Sequence, residues 1–320
     1  MESNHHRDQK QRNLLITTLL NFIISAIEIA GGFLSGSLAL LSDALHNLSD
    51  AFAVLIAYIA GVISNKQPDH RMTFGFKRAE ILAALFNALI LIAVTIYLFY
   101  AAYQRLREPA PVTGSVMFFT AVIGLLANVA AVIILRKDAG KNMNVRAAYL
   151  HLLGDSLSSV AVIAGSILIY FFKLYWIDPV VTMIVGVYIL KHAWMILREA
   201  VDILMQSGPR DIRLADLCRE LESIPAIDNV HHVHLWNLTD QQIHFEGHVD
   251  LAENLSVEQT GAIRKQMERI LWEKFRISHL TVQFEYRSCD DKRVVHVERR
   301  EEKGERRKER GERRNKLYME

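Results

Sequence analysis

The sequence predicts an all-α bundle of six transmembrane helices followed by a small α+β domain of order αββαβ. Three observations carry this. Six segments are apolar for the roughly 20 residues that a helix needs to cross a hydrocarbon core. Hydrophobic residues make up 51% of the 320-residue chain but are concentrated before about Gln206. Beyond that point the periodicity changes to that of a soluble domain, and the chain ends in a dense run of mixed charge. This division sets four regions: an N-terminal segment 1–13, a membrane domain 14–206, a soluble domain 207–289 and a charged tail 290–320. The net charge of +2 is too small to indicate a partner.

The six spans are roughly Leu14–Leu34, Leu38–Ile63, Ile81–Tyr103, Val116–Leu135, Ala147–Phe172 and Ile177–Leu197. Soluble core helices rarely stay apolar on every face for this long. Residues 1–12 are polar and no small-residue cleavage site follows, so no cleavable signal peptide is expected. Lysine and arginine in the connections set the orientation. The second connection carries Lys66, Arg71, Lys77 and Arg78, and the fourth carries Arg136, Lys137, Lys141 and Arg146. The first has no charge, the third only Arg105 and Arg107 at its edge, and the fifth only Lys173. With Arg7, Lys10 and Arg12 before the first span, both termini are expected in the cytoplasm, in a multi-pass protein of the cell membrane. Two distant cysteines, Cys218 and Cys289, with no CxxC pair, fit a reducing compartment and give no zinc-finger signal.

Ionisable residues interrupt the apolar spans. The second contains Asp43, His46 and Asp50 within "SLALLSDALHNLSDAFAVL", and the fifth contains His151 and Asp155 within "AAYLHLLGDSLSSV". A charge at mid-membrane costs roughly 2.5–3.5 kcal/mol on insertion scales, so such residues face a cavity or a partner. His46 and Asp50 are four apart, as are His151 and Asp155, which stacks each pair on one helical face. Two such helices supply two imidazoles and two carboxylates, a set suited to tetrahedral Zn²⁺ and able to take Cd²⁺ or Co²⁺. A bound cation would neutralise the buried carboxylates. The alternative for each pair is an internal His–Asp hydrogen bond, but its repetition in two spans favours a shared site. Asp43 is either an acceptor for a histidine N–H or an interfacial residue. Glu28 either lines a pathway or pairs with a neighbour, and Asn21, Asn87 and Asn128 are expected to bond between helices.

"GGFLSGSLALLSDALHNLSD", "FGFKRAEILAALFNA" and "NVRAAYLHLLGDSLSSV" closely resemble the cation diffusion facilitator family, most of all its bacterial zinc, cobalt and cadmium efflux branch. The resemblance spans about residues 10–287. It implies a six-helix membrane domain, a cytoplasmic ferredoxin-like domain, a homodimer and metal-for-proton antiport. It places the transport site on His46, Asp50, His151 and Asp155. Some members carry a histidine-rich loop between the fourth and fifth spans; here that loop is "RKDAGKNMNVR", without histidine, and His5 and His6 are too few to make a metal-binding tail.

In the soluble domain, "DIRLADLCRELESI" reads as a helix with Ile212, Ala215 and Leu221 at helical spacing. "NVHHVHLWNL" and "QQIHFEGHVDL" read as strands joined at Thr239–Asp240. "SVEQTGAIRKQMERILWEKF" is a second amphipathic helix capped by Ser256, and "HLTVQFEY" a closing strand. Alternation turns Ile243, Phe245 and Val249 to one face and His244, Glu246, His248 and Asp250 to the other. On the last strand it turns Leu280, Val282, Phe284 and Tyr286 inward, and Gln283 and Glu285 outward. On the first strand a period of two puts His232 and His234 on the polar face, whereas the resemblance favours His231 as a ligand. The choice stays open here. His231, His248 and Glu285 form a candidate cytoplasmic regulatory metal site, and a polar sheet face merely rich in histidine is the alternative. The tail "ERREEKGERRKERGERRN" is a solvated mixed-charge run with lipid headgroups as a possible contact. Acids interleave its bases without aromatic stacking partners, which argues against nucleic acid.

No step in this reading breaks a covalent bond, so an enzyme is not expected. An intramembrane metalloprotease would need an activating acid/base such as the Glu of HExxH, and no such motif occurs. A metal sensor without transport has no need of ionisable pairs at mid-membrane.

Overall fold

A computed structural model describes residues 19, 21–139, 143–287 and 293–294. The chain divides into two compact units, Met1–Val201 and Asp202–Glu320.

The first unit is helical. Among the described residues α1 covers Asn21–Ser35. It is followed by α2 (Leu38–Ser64), α3 (Ala79–Arg107), α4 (Gly114–Ala139), α5 (Met143–Phe172) and α6 (Ile177–Leu204). Helices α2 to α6 each contain a stretch long and apolar enough to cross a membrane. They extend beyond the expected spans because helix continues through polar residues at the ends, as at Arg105 and Arg107 of α3 and the last turns of α6. Large apolar side chains such as Phe33, Tyr58, Tyr97, Leu157 and Ile184 point outward, as hydrocarbon solvent permits. Small residues let the helices approach: a Cβ at Gly31 of α1 would strike Thr120 of α4.

The turn between α1 and α2 is built around Asp178 at the start of α6. Gly36 takes the left-handed conformation (φ 69°) that glycine adopts without strain. Asp178 is fully buried; it accepts from Ser37 Oγ at 2.5 Å, from the N–H of Leu38 at 2.9 Å and from that of Ala39 at 3.2 Å. These N–H groups are orphan donors of the α2 N-terminus, where the helix dipole also favours an anion. Arg105 of α3 completes the cluster, 3.3 Å from Asp178 and bonded to the Gly36 carbonyl. One carboxylate thus fastens the ends of α2, α3 and α6.

The second unit carries α7 (Leu214–Glu222), β1 (Ile227–Asn237), β2 (Ile243–Leu251), α8 (Val257–Phe275) and β3 (Ile277–Glu285). The sheet order is β1-β2-β3, with β1 antiparallel to β2 and β2 parallel to β3 across α8. This matches the expected αββαβ order. Ser256 caps α8 in a reciprocal capping box with Gln259. Leu217 and Leu221 of α7, Phe245 and Val249 of β2, and Met267 and Leu271 of α8 form the core.

Ala215 is exposed, because α7 buries the face carrying Leu217, Cys218 and Leu221. One inward assignment is corrected. Tyr286 lies beyond the end of β3, exposed, with the Arg287 guanidinium over its ring. Cys218 is buried and free, and burial, with the nearby Glu222 charge, pushes its thiol up to about 11. Cys289, the N-terminal histidines and the tail, apart from residues 293–294, lie outside the described residues.

Candidate metal centres

In the membrane unit α2 and α5 bring together residues more than 100 positions apart. His46 Nε2 lies 3.5 Å from Asp50 Oδ2 in its own helix and 3.6 Å from Asp155 Oδ1 in α5. His46 and Asp155 are almost wholly buried, while Asp50 keeps 24% exposure of its side chain. One imidazole therefore lies between two carboxylates, one from its own helix and one from α5. Backbone places His151 one turn before Asp155 in α5; its side chain lies outside the described residues.

The surrounding polar groups hold α2 in place. Asp43 is buried and accepts from Ser159 Oγ at 3.2 Å and from Ser158 Oγ, tying α2 to α5. It is an interhelical acceptor inside the bundle, not an interfacial residue. Ser49 donates to Asn87 of α3 at 3.4 Å, so Asn87 bonds between helices as expected. Asn47 donates to Glu28 of α1 at 3.0 Å. Glu28 therefore pairs with a neighbour.

The second unit holds another cluster. Ligand atoms of His231, His232 and His248 lie within 4.8 Å of one another. Their ring centroids are 5.2, 5.5 and 4.9 Å apart. Glu285 joins them from β3, with its oxygens 2.9 Å from His248 Nδ1 and 3.6 Å from His231 Nε2.

Alternation failed on β1 for a local reason. The β1–β2 register shifts between His231 and His234, and His232 takes a left-handed φ of 48°. This bulge inserts an extra residue, so two successive histidines turn toward His248. His231 is fully buried, whereas His234 is exposed and faces Glu246 across the strands. His231, His248 and Glu285 meet as proposed; His232 belongs with them, and His234 does not. Adjacent histidines are a weak signal of a bulge, since a regular strand would send them to opposite faces.

Burial lowers the His231 proton affinity, with Glu285 opposing. A neutral imidazole is the form that binds metal. Neither nitrogen of His231 has a hydrogen-bond partner among the described residues. A buried ring without hydrogen bonds, three imidazoles and a carboxylate fit a zinc-class ion.

Two family models match the chain in succession. "Cation efflux transmembrane domain" covers residues 14–205, and "Cation efflux protein, cytoplasmic domain" covers 209–287. The metal cation efflux system protein CzcD of Cupriavidus metallidurans is 36% identical over 290 residues, 90% of each chain. The cadmium, cobalt and zinc/H(+)-K(+) antiporter of Bacillus subtilis is 36% identical over 287 residues, 89% of this chain and 92% of its own. The zinc transporter ZitB of Escherichia coli is 38% identical over 284 residues, 88% of this chain and 90% of its own.

Proposed function

The chain belongs to the cation efflux, or cation diffusion facilitator, family, and from that premise we propose that it exports Zn²⁺, and also Cd²⁺ or Co²⁺, from the cytoplasm in exchange for protons. The observation that carries this reading is the convergence of His46, Asp50 and Asp155 across two membrane helices. His151, at the matching helical spacing, completes a four-ligand transport site. The cation is cargo. Nitrogen and carboxylate donors in a compact site favour zinc and admit its neighbours.

Coupling follows from the donors. A ligand must shed its proton to hold metal, so cation and protons compete for the same side chains. Alternating access then exposes the site to one side loaded with metal and to the other loaded with protons. The membrane domain 14–206 carries transport and the domain 207–289 carries regulation. No covalent bond is broken, so the protein acts as a transporter and not as an enzyme. It resides in the cell membrane with lipid around its apolar faces and both termini in the cytoplasm.

In the cytoplasmic domain His231, His232 and His248, with Glu285, would hold a regulatory zinc ion, which neutralises the local carboxylate. A homodimer is the setting that the family resemblance implies, and the match to a cytoplasmic-domain model of that family supports it. Binding there shifts an open–closed balance only by its differential affinity for the two states. Zinc uptake into everted vesicles tests the reading. An inward-directed flux that grows when the lumen is acidified supports it. Flux indifferent to the gradient overturns the antiport.

A further inference from the structure

We propose that Glu28, seated against Gly124 and bonded to Asn47, is a positioning residue that fixes the rotational setting of α2 for metal binding; this rests on the transport site proposed above. Glu28 is fully buried in α1. Its Oε2 accepts from Asn47 Nδ2 at 3.0 Å, and its Oε1 has no hydrogen-bond partner among the described residues. A buried carboxylate in an apolar bundle is expensive unless it does something a neutral side chain would not.

The placement of Asn47 indicates what that is. Asn47 follows His46 directly, so it projects about 100° around α2 from the face carrying His46 and Asp50. A bond at that azimuth resists rotation of the helix about its own axis, and rotation is the motion that would carry His46 away from Asp155. Asp43, tied to Ser158 and Ser159, and Ser49, near Asn87, hold α2 toward α5 and α3. Glu28 supplies the tie toward α1.

Gly124 of α4 defines the seat. A Cβ there would lie 2.0 Å from Glu28 Oε1 and 3.1 Å from its Cδ. Gly124→Ala therefore displaces the end of a flexible side chain, since the three nearest atoms all belong to the Glu28 side chain. Alanine also suits a helix interior better than glycine. The substitution leaves the fold alone yet moves the carboxylate off Asn47, which separates positioning from a merely structural role.

The experiment measures zinc KM and maximal flux in proteoliposomes, with the visible absorption of the Co²⁺-loaded full-length protein reporting ligand geometry. Gly124→Ala and Glu28→Ala are expected to raise the zinc KM about tenfold, in line with loss of a buried hydrogen bond, and to alter the cobalt band. Glu28→Gln is expected to recover most of the affinity, because its amide oxygen still accepts from Asn47. A wild-type KM and cobalt band in Gly124→Ala overturns the proposal. So does a Glu28→Gln defect as large as that of Glu28→Ala with a wild-type cobalt band, which would assign the role to charge instead of position. If Glu28→Ala does not insert, Gly124→Ala and Glu28→Gln decide. His46→Ala separates the two readings: export by His46→Ala overturns the transport site itself, whereas a dead His46→Ala beside an unaffected Gly124→Ala overturns only the role of Glu28.

Discussion

The membrane unit and the C-terminal unit both gather imidazoles and carboxylates, but they use different backbone periods to do it. In the membrane, donors four residues apart on α2 meet a donor on α5, so the site exists only while two helices hold their relative setting. In the C-terminal unit, adjacent histidines on a bulged strand meet His248 and Glu285 through directly paired strands. Hydrogen bonding across the sheet fixes that cluster; side-chain ties fix the helical one. A site shared between helices can be opened by moving a helix, which transport requires. A site within one sheet is suited to registering occupancy.

That contrast is broken most severely by removing the proposed transport ligands. His46→Ala, Asp50→Ala, His151→Ala and Asp155→Ala are each expected to abolish zinc export while the protein still inserts, because each removes one of the four proposed donors. Near-normal flux in any of them, measured in vesicles, contradicts the assignment.

The cytoplasmic cluster should fail more gently. Glu285→Ala removes the carboxylate beside His231 and His248, and is expected to weaken zinc activation of transport by roughly 10–100-fold in zinc concentration. Basal flux through the membrane site should persist. His232→Ala sharpens the comparison: a similar loss confirms that the bulge brings both adjacent histidines to the metal, and an unchanged zinc response excludes His232.

Asp178→Ala tests fastening without chemistry. Losing the buried partner of Arg105 and the α2 cap is expected to destabilise the bundle by roughly 3–5 kcal/mol. A lowered thermal midpoint with an unchanged zinc KM is the expected pattern.

The smallest effect is a pH dependence confined to the C-terminal unit. His231 binds a proton less readily when folded than when unfolded. The unfolded state then holds more protons near its ordinary pKa of about 6.5, so stability is present above that pH and is lost as pH falls through the lower folded value. Protection factors of the β1 and β2 amides in metal-free protein, corrected for the intrinsic pH dependence of exchange, should fall below about pH 6.5. Replacing His231 with a non-titrating residue should remove that fall.

What was legible in the sequence follows the same division. Helical spacing exposes His46–Asp50 and His151–Asp155 because 3.6 residues per turn leave little choice about which residues share a face. The αββαβ order is equally plain from the change of period after Gln206. The bulge was not legible: it is set by the register of β1 against β2, a pairing between separate segments. Nor was Asp178, whose contacts with Ser37 and Arg105 join positions 141 and 73 residues away. Asp178 reads locally as an acidic residue in the first turn of α6. Tyr286 was misplaced at the end of β3, where periodicity has too few residues to fix a face.

The most direct test of the central claim is proton movement during zinc transport in proteoliposomes, followed with a lumenal pH dye after adding external zinc. The account predicts that wild-type protein takes up zinc and releases protons together, and that Asp155→Ala does neither. Zinc entry without proton release by the wild type, or proton-coupled zinc entry by Asp155→Ala, would contradict it.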